Sequence, residues 1–441
     1  MRTVLILLVM LLQVSLLHGQ ELPARAFTNV TLHHHNGDVT ENATIVWRNG
    51  TIIETGKKAN LPFDAYVIDG GDSLHIYPGF IDGLALWASP DAENNRDDVE
   101  RPGEPPYDRA GIQPQRLARN FVDGSSDKKM EEGQKHGFTT FVMGLNGQML
   151  PGQLDVMNNQ TSVEDKQVFR KTIGLQVAFN AARGVYPSTL MGMMAKLRQL
   201  WYDADALQNQ QNLHEKNPET YPYPGSDEVL ESLYPYLNGE KPLYFAANTP
   251  EDIERVIKLK NELGFDLVLV SAEMGYLSAD LLKKENISVL ASVDLPEKPD
   301  WLKDEKKDED EKDKKEEKKE EVVSDEVQEH RDKQLESYKE QLANIKKLNK
   351  AGVLTGIATN GQSLKDWKKA ISTLNENDYT DKELLRLMTV ETAKVLEMDH
   401  IIGKLKNNYM ANFTVFDKPF LEEKAKAVYS ISAGIVTEIE E

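Results

Sequence analysis

The sequence predicts an α/β protein: a (β/α)8 barrel of the TIM type, with a small composite β-sandwich domain built from the N- and C-terminal segments. Three observations lead there. The middle of the chain alternates short apolar, β-rich runs with longer helical patterns. The segment Thr28–Gly56 alternates β-rich runs with turn residues, and similar runs return near the C-terminus without helices between them. The chain has 441 residues, 40% of them apolar, which suffices for a large core and suits a barrel with an attached domain.

The elements follow in order. Arg2 precedes an apolar run from Val4 to Leu17, broken only by Gln13 and Ser15, and small or polar residues surround His18, Gly19 and Gln20. This pattern predicts a signal peptide over residues 1–20. The run is short for a membrane span, so no membrane anchor is expected. There is no cysteine, which excludes a lipid-bearing cysteine and any disulfide framework. A secreted or periplasmic location is expected, where a large core can stabilise the fold unaided.

Next comes a hairpin signal: Ala43-Thr44-Ile45-Val46-Trp47, then Arg48-Asn49-Gly50, then Thr51-Ile52-Ile53. A third strand-like run, Ala65–Ile68, ends at Asp69-Gly70-Gly71, and the three predict a small antiparallel sheet. The barrel-strand candidates are Gly79–Ala88, Phe138–Gly144, Gln153–Met157, Ile173–Phe179, Leu243–Ala247, Leu267–Ser271, Ile287–Ser292 and Leu354–Ala358. Helical patterns lie between them at Leu190–Ala206, Pro250–Leu263 and Leu335–Lys350, so the eight strands are expected to run parallel. A further helix is expected at Asp381–Leu396, and strands at Phe413–Phe416 and Ala427–Ser432 that return to complete the N-terminal sheet. From Lys303 to Glu321 every residue is Lys, Asp or Glu, which predicts a solvated insertion. The domain reading is therefore residues 21–76 plus 408–441 as the composite sheet, and 77–407 as the barrel, with the charged insertion at 303–321.

The net charge is −20, from 72 acidic and 52 basic residues. Phosphate binding needs clustered Lys and Arg, so nucleic acid is excluded as a partner, and anionic membrane surfaces are disfavoured.

Pro78-Gly79-Phe80-Ile81-Asp82, preceded by Asp69-Gly70-Gly71 and Tyr77, resembles the entry to the first barrel strand of the amidohydrolase superfamily. Phe27-Thr28-Asn29-Val30 and Arg48-Asn49-Gly50-Thr51-Ile52 are similar to that family's N-terminal sheet. The run from Leu387 to Leu396 resembles its penultimate helix, and Ile402-Gly403-Lys404-Leu405 with Tyr409-Met410-Ala411-Asn412-Phe413 resembles the return into the sheet. Tyr186-Pro187-Ser188-Thr189-Leu190-Met191-Gly192, with Leu197-Arg198-Gln199, is similar to an imidazolonepropionase-like branch. These pieces span nearly the whole chain in the right order.

The resemblance implies a divalent metal such as zinc at the C-terminal mouth of the barrel, where it lowers the pKa of bound water. It also implies the ligand positions: a His-x-His pair on the first strand, histidines on the fifth and sixth, and an aspartate on the eighth. This chain departs from the pattern at each. Leu84-Ala85-Leu86 follows Ile81-Asp82-Gly83, the fifth-strand position falls near Ala246, and the eighth-strand aspartate falls at Asn360. No histidine occurs between His214 and His330, so the sixth strand has none. Leucine and alanine offer no lone pair, and an amide oxygen is a weak ligand and a poor proton acceptor. No cofactor is therefore expected, and no catalytic residue or metal ligand is assigned. Asp82 survives from the motif and is expected to brace backbone, with Leu84 and Leu86 filling the barrel.

His33-His34-His35 is the densest histidine cluster and is expected as an exposed polar patch away from the mouth, while His75, His136 and His400 read as isolated. No Gly-x-Ser-x-Gly elbow and no thiol nucleophile exist. Two readings of function remain. One is a catalytically inactive, secreted amidohydrolase-like protein acting as a binding module, for a small molecule or as the partner of an active relative. The alternative is a metal-dependent hydrolase of non-peptide C–N bonds, in cyclic amides or dipeptide-like substrates, with an unconventional site.

Overall fold

A computed structural model describes residues 22–90, 99–122, 127–160, 168–302 and 324–440. The expected signal peptide and the charged run Lys303–Glu321 lie outside the described residues. No described helix is long and apolar enough to cross a membrane.

The first sheet draws strands from both ends of the chain. They are β1 (Arg25–His33), β2 (Val39–Arg48), β3 (Thr51–Gly56), β4 (Tyr66–Asp69), β5 (His75–Pro78) and, far along the chain, β14 (Phe413–Phe416), β15 (Ala427–Ser432) and β16 (Ile435–Glu438). Their order is β16-β15-β14-β5-β1-β2-β3, with β4 beside β1. Asn49 (φ 51°) and Gly50 (φ 78°) make the expected tight turn between β2 and β3. An additional hairpin, β15–β16, turns through Ala433 and Gly434, also at positive φ. The sheet is mixed and not antiparallel as expected, because β4 and β5 lie end to end along one edge of β1 and both run parallel to it. Rings from the two chain ends share its core: Trp47 lies 5.3 Å from Phe413 and 5.7 Å from Phe27, and its indole nitrogen donates to the Gly434 carbonyl at 2.9 Å.

The second sheet is the barrel wall: β6 (Phe80–Ala85), β7 (Phe138–Met143), β8 (Gly152–Asn158), β9 (Val168–Ala178), β10 (Leu243–Ala247), β11 (Leu267–Ser271), β12 (Ser288–Ser292) and β13 (Thr355–Ala358), neighbours in chain order. Every adjacent pair is parallel except those of β8, which runs antiparallel to both β7 and β9. The connections on either side of β8 explain this, since residues 144–151 and 159–167 are each too few for the dozen-residue crossover that a parallel strand needs. The barrel closes where β13 meets β6, with the Asn360 amide donating to the Leu84 carbonyl at 2.9 Å.

Ile81, Val142, Val156, Val270, Leu290 and Ala358 fill the interior together with Ala393, Val395 and Leu396. Those last three belong to the region expected as one helix, Asp381–Leu396. It is instead a helix with a π turn at Leu387–Glu391. The wider turn brings Thr392 against β13, where its hydroxyl donates to the Leu387 carbonyl at 2.6 Å and accepts from the Ile357 amide at 3.0 Å. A Cβ at Gly356 would sit 2.6 Å from the Thr392 Cα, so glycine is required there.

Among the outer helices, Pro250–Leu263 runs between its Thr249 cap and Gly264 in the left-handed conformation. The expected Leu335–Lys350 is two helices, Asp325–Leu342 and Asn344–Lys350. They part where Asn344 turns inward: its side chain donates to the Ala272 carbonyl and accepts from the Tyr276 amide. Leu364–Glu376 is a further helix absent from the sequence reading, although Leu364, Trp367, Ile371 and Leu374 repeat on one buried face.

Candidate functional site at the barrel mouth

Asp82 anchors the site. The pairing of β6 with β7 slips between Asp82 and Ala85, and there the Asp82 side chain bonds back to its own strand. One carboxylate oxygen accepts from the Leu84 amide at 3.1 Å and the Thr359 amide at 2.9 Å. The other accepts from the Thr359 hydroxyl at 2.6 Å and the Trp87 indole at 2.8 Å. The residue is 1% exposed. Burial pushes its carboxyl above the usual carboxylate range, against the opposing pull of these donors. A carboxylate with both oxygens doubly engaged ties β6 to β13 at the closing seam.

Leu84 is buried in the apolar interior, and Ala246 on β10 packs half-buried against the same cluster. Leu86 is half-buried at the rim, where a Cβ at Gly144 would lie 2.8 Å from its side chain and one at Gly361 3.6 Å. Asn360 follows β13 in the left-handed conformation, φ 44°, and is half-buried. Leu84, Leu86 and Asn360 thus gather at the β6–β13 seam, and Ala246 faces the same interior from β10.

The polar part of the mouth lies at the ends of β10, β11 and β12. A cavity of about 140 Å³ is lined by Glu273, Ser292 and Asp294 and by the apolar Leu295, Ile345 and Leu374. Asn248 donates to Glu273 at 2.9 Å. Burial first, and Asp294 second, push the Glu273 carboxyl above its usual range. Neither carboxylate has an ion-pair partner among the described residues.

The comparisons fit this geometry. A model of the amidohydrolase family matches residues 248–438. That match covers less than half of the chain, and over those residues the chain is similar to the family. No curated protein matches the chain. Among solved structures it is similar to an amidohydrolase from Thermotoga maritima MSB8, at 18% identity over 94% of this chain and 100% of that one, with a TM-score of 0.73. It is also similar to a prolidase complexed with N-methylphosphonate-L-proline (14% identity, 95% and 100% coverage, TM-score 0.54). A Xaa-Pro dipeptidase with bound methionine follows (13% identity, 94% and 100%, TM-score 0.51). At such identities the likeness is one of fold.

The residues of this amidohydrolase fold do not fit the divalent metal that the family resemblance implies. Leu84, Leu86 and Ala246 carry no donor atom, Asn360 offers an amide, and the lone pairs of Asp82 are committed to Thr359, Leu84 and Trp87.

The histidines differ from expectation. His33, His34 and His35 are half-buried and not an exposed patch, because His33 stacks on Tyr77 at 4.1 Å and His34 bonds to the Thr40 hydroxyl. His75 is not isolated: its Nδ1 lies 3.0 Å from His33 Nε2. His136 bonds back to the Glu132 carbonyl at a helix end. The sequence reading missed the Asp82 partners Thr359 and Trp87, and the mouth residues Asn248, Glu273 and Asp294. The last three had a local signal, since each is the first amide or carboxylate side chain after an apolar strand run.

Proposed function

We propose that this amidohydrolase-fold protein is exported through its N-terminal segment and acts by binding, without hydrolysing its ligand. The observation that carries the reading is the condition of Asp82. The one acidic residue kept from the strand-one motif is engaged through both oxygens in bracing the barrel, so neither oxygen is free to hold a metal. Leu84 and Ala246, at ligand positions, extend the apolar interior. What is left at the mouth is Asn360 and Leu86 at the β6–β13 seam and the Glu273–Asp294 cavity at the ends of β11 and β12, polar and apolar groups suited to a small molecule or to a loop of an active relative. Fold labels follow architecture and not site, so the family match does not by itself carry an activity. The test is elemental analysis of the untagged protein after dialysis against chelator. Only trace zinc, manganese and iron are expected; a stoichiometric metal that survives dialysis would favour the unconventional hydrolase.

A further inference from the structure

The composite sheet has a seam. In the strand order β5 stands between β1, from the N-terminal segment, and β14, from the C-terminal one. Its pairing with β14 runs the length of the strand, from His75 opposite Phe416 to Pro78 opposite Phe413. Its pairing with β1 is brief, with Thr31 opposite His75 and Leu32 opposite Ile76. His33, one residue past that short ladder, meets the side chain of His75 within it, Nε2 to Nδ1 at 3.0 Å, with ring centroids 5.2 Å apart. His33 also stacks on Tyr77 of β5, its ring plane within 8°. The Tyr77 hydroxyl in turn accepts from the Phe420 amide, beyond β14. A chain of side-chain contacts therefore crosses the seam from β1 through β5 to the C-terminal segment.

A hydrogen bond between two imidazoles requires one nitrogen to donate and the other to accept. The contact holds while the pair carries at most one extra proton. A second proton removes the acceptor and sets two cations against each other at hydrogen-bond distance. We propose that the His33–His75 pair is an acid-released latch that fastens the N-terminal strands to β5 when it holds at most one extra proton and loosens that seam when both rings are charged.

The groups around the pair set its range. His34, next along the chain, opposes charge on His33, whereas Glu422 and Asp417, in the segment after β14, favour charge on His75. Asp381 and Glu422 act on Tyr77, which stays neutral throughout. Burial, and then the neighbouring His75, hold His33 down to about 4, and burial lowers His75 as well. Both folded-state values lie below the ordinary value near 6.5, so the latch contributes fully above that value and is lost as pH falls towards 4.

Hydrogen exchange of the full chain, followed as a function of pH and corrected for the intrinsic rate, tests this directly. Peptides covering Thr31–His33 and His75–Pro78 should lose protection by about tenfold between pH 7 and pH 5, a figure reduced from the full linkage because the rings are partly exposed. His33→Gln keeps a neutral side chain that can hydrogen-bond to His75 and should clearly reduce this pH dependence, leaving only the part due to the remaining histidine's burial, while protection on the barrel strands β10 and β11 stays as in the wild type. If His33→Gln does not fold, His75→Gln is measured in its place with the same expectation. An unchanged acid response in the variant, or wild-type seam peptides indifferent to pH over this range, would overturn the latch.

Discussion

Thr359 donates twice to Asp82, through its amide at 2.9 Å to one carboxylate oxygen and through its hydroxyl at 2.6 Å to the other. The pair joins the last barrel strand to the first, and its residues are 277 positions apart. Replacing Thr359 by Val removes the hydroxyl donor from a buried carboxylate and should cost about 1–3 kcal/mol. Asp82→Asn should cost at least as much, because its amide group faces donors with a donor. Chemical denaturation of the two variants measures both. Variants as stable as the wild type would show that Asp82 is not a brace.

Leu84→His places an imidazole in an apolar interior beside Val142 and Leu290 and should destabilise by about 2–5 kcal/mol. It should gain no affinity for zinc, since a catalytic zinc site typically needs three protein ligands. The combined change Leu84→His, Leu86→His, Ala246→His and Asn360→Asp should bind zinc more tightly than the single variant. Thermal melting with and without zinc separates the two expectations.

Gly356→Ala pushes a methyl group to within 2.6 Å of the Thr392 Cα. Backbone on both sides leaves little room to yield, so the melting midpoint should fall by an amount equivalent to about 1–3 kcal/mol. A variant with an unchanged midpoint would mean that the π turn moves freely.

Ending the chain after Gly403 removes β14–β16 and leaves Phe27 and Trp47 without Phe413 and Tyr429. The truncated protein should aggregate or lose its cooperative transition, because the strands left behind have an uncovered apolar face. Unchanged melting would show that the C-terminal strands are dispensable.

Much of this architecture was legible in the sequence. Strands Leu243–Ala247, Leu267–Ser271, Phe413–Phe416 and Ala427–Ser432 and helix Pro250–Leu263 have the bounds that their apolar runs and flanking turn residues indicate. The direction of β8 relative to β7 was also recoverable, from the short connection between the expected strands Phe138–Gly144 and Gln153–Met157. What was hidden was long-range. Nothing near Asp82 points to Thr359, and nothing near His33 points to His75, because both contacts exist only once distant strands are side by side. At the candidate site the sequence offered only residue types at 84, 86, 246 and 360; the gathering of Leu84, Leu86 and Asn360 at one seam came from the fold. The part played by Trp87 and the acidic cavity at Glu273 and Asp294 came from the fold.

The central claim, that the mouth binds without hydrolysing, is tested most directly by a metal-supplemented amidase and dipeptidase screen of the wild type beside Asn360→Ala. The account predicts no turnover of dipeptides, lactams, hydantoins or imidazolone-type amides by either protein, with or without zinc. Clear wild-type turnover that disappears in Asn360→Ala would contradict it and establish a hydrolase with an unconventional site.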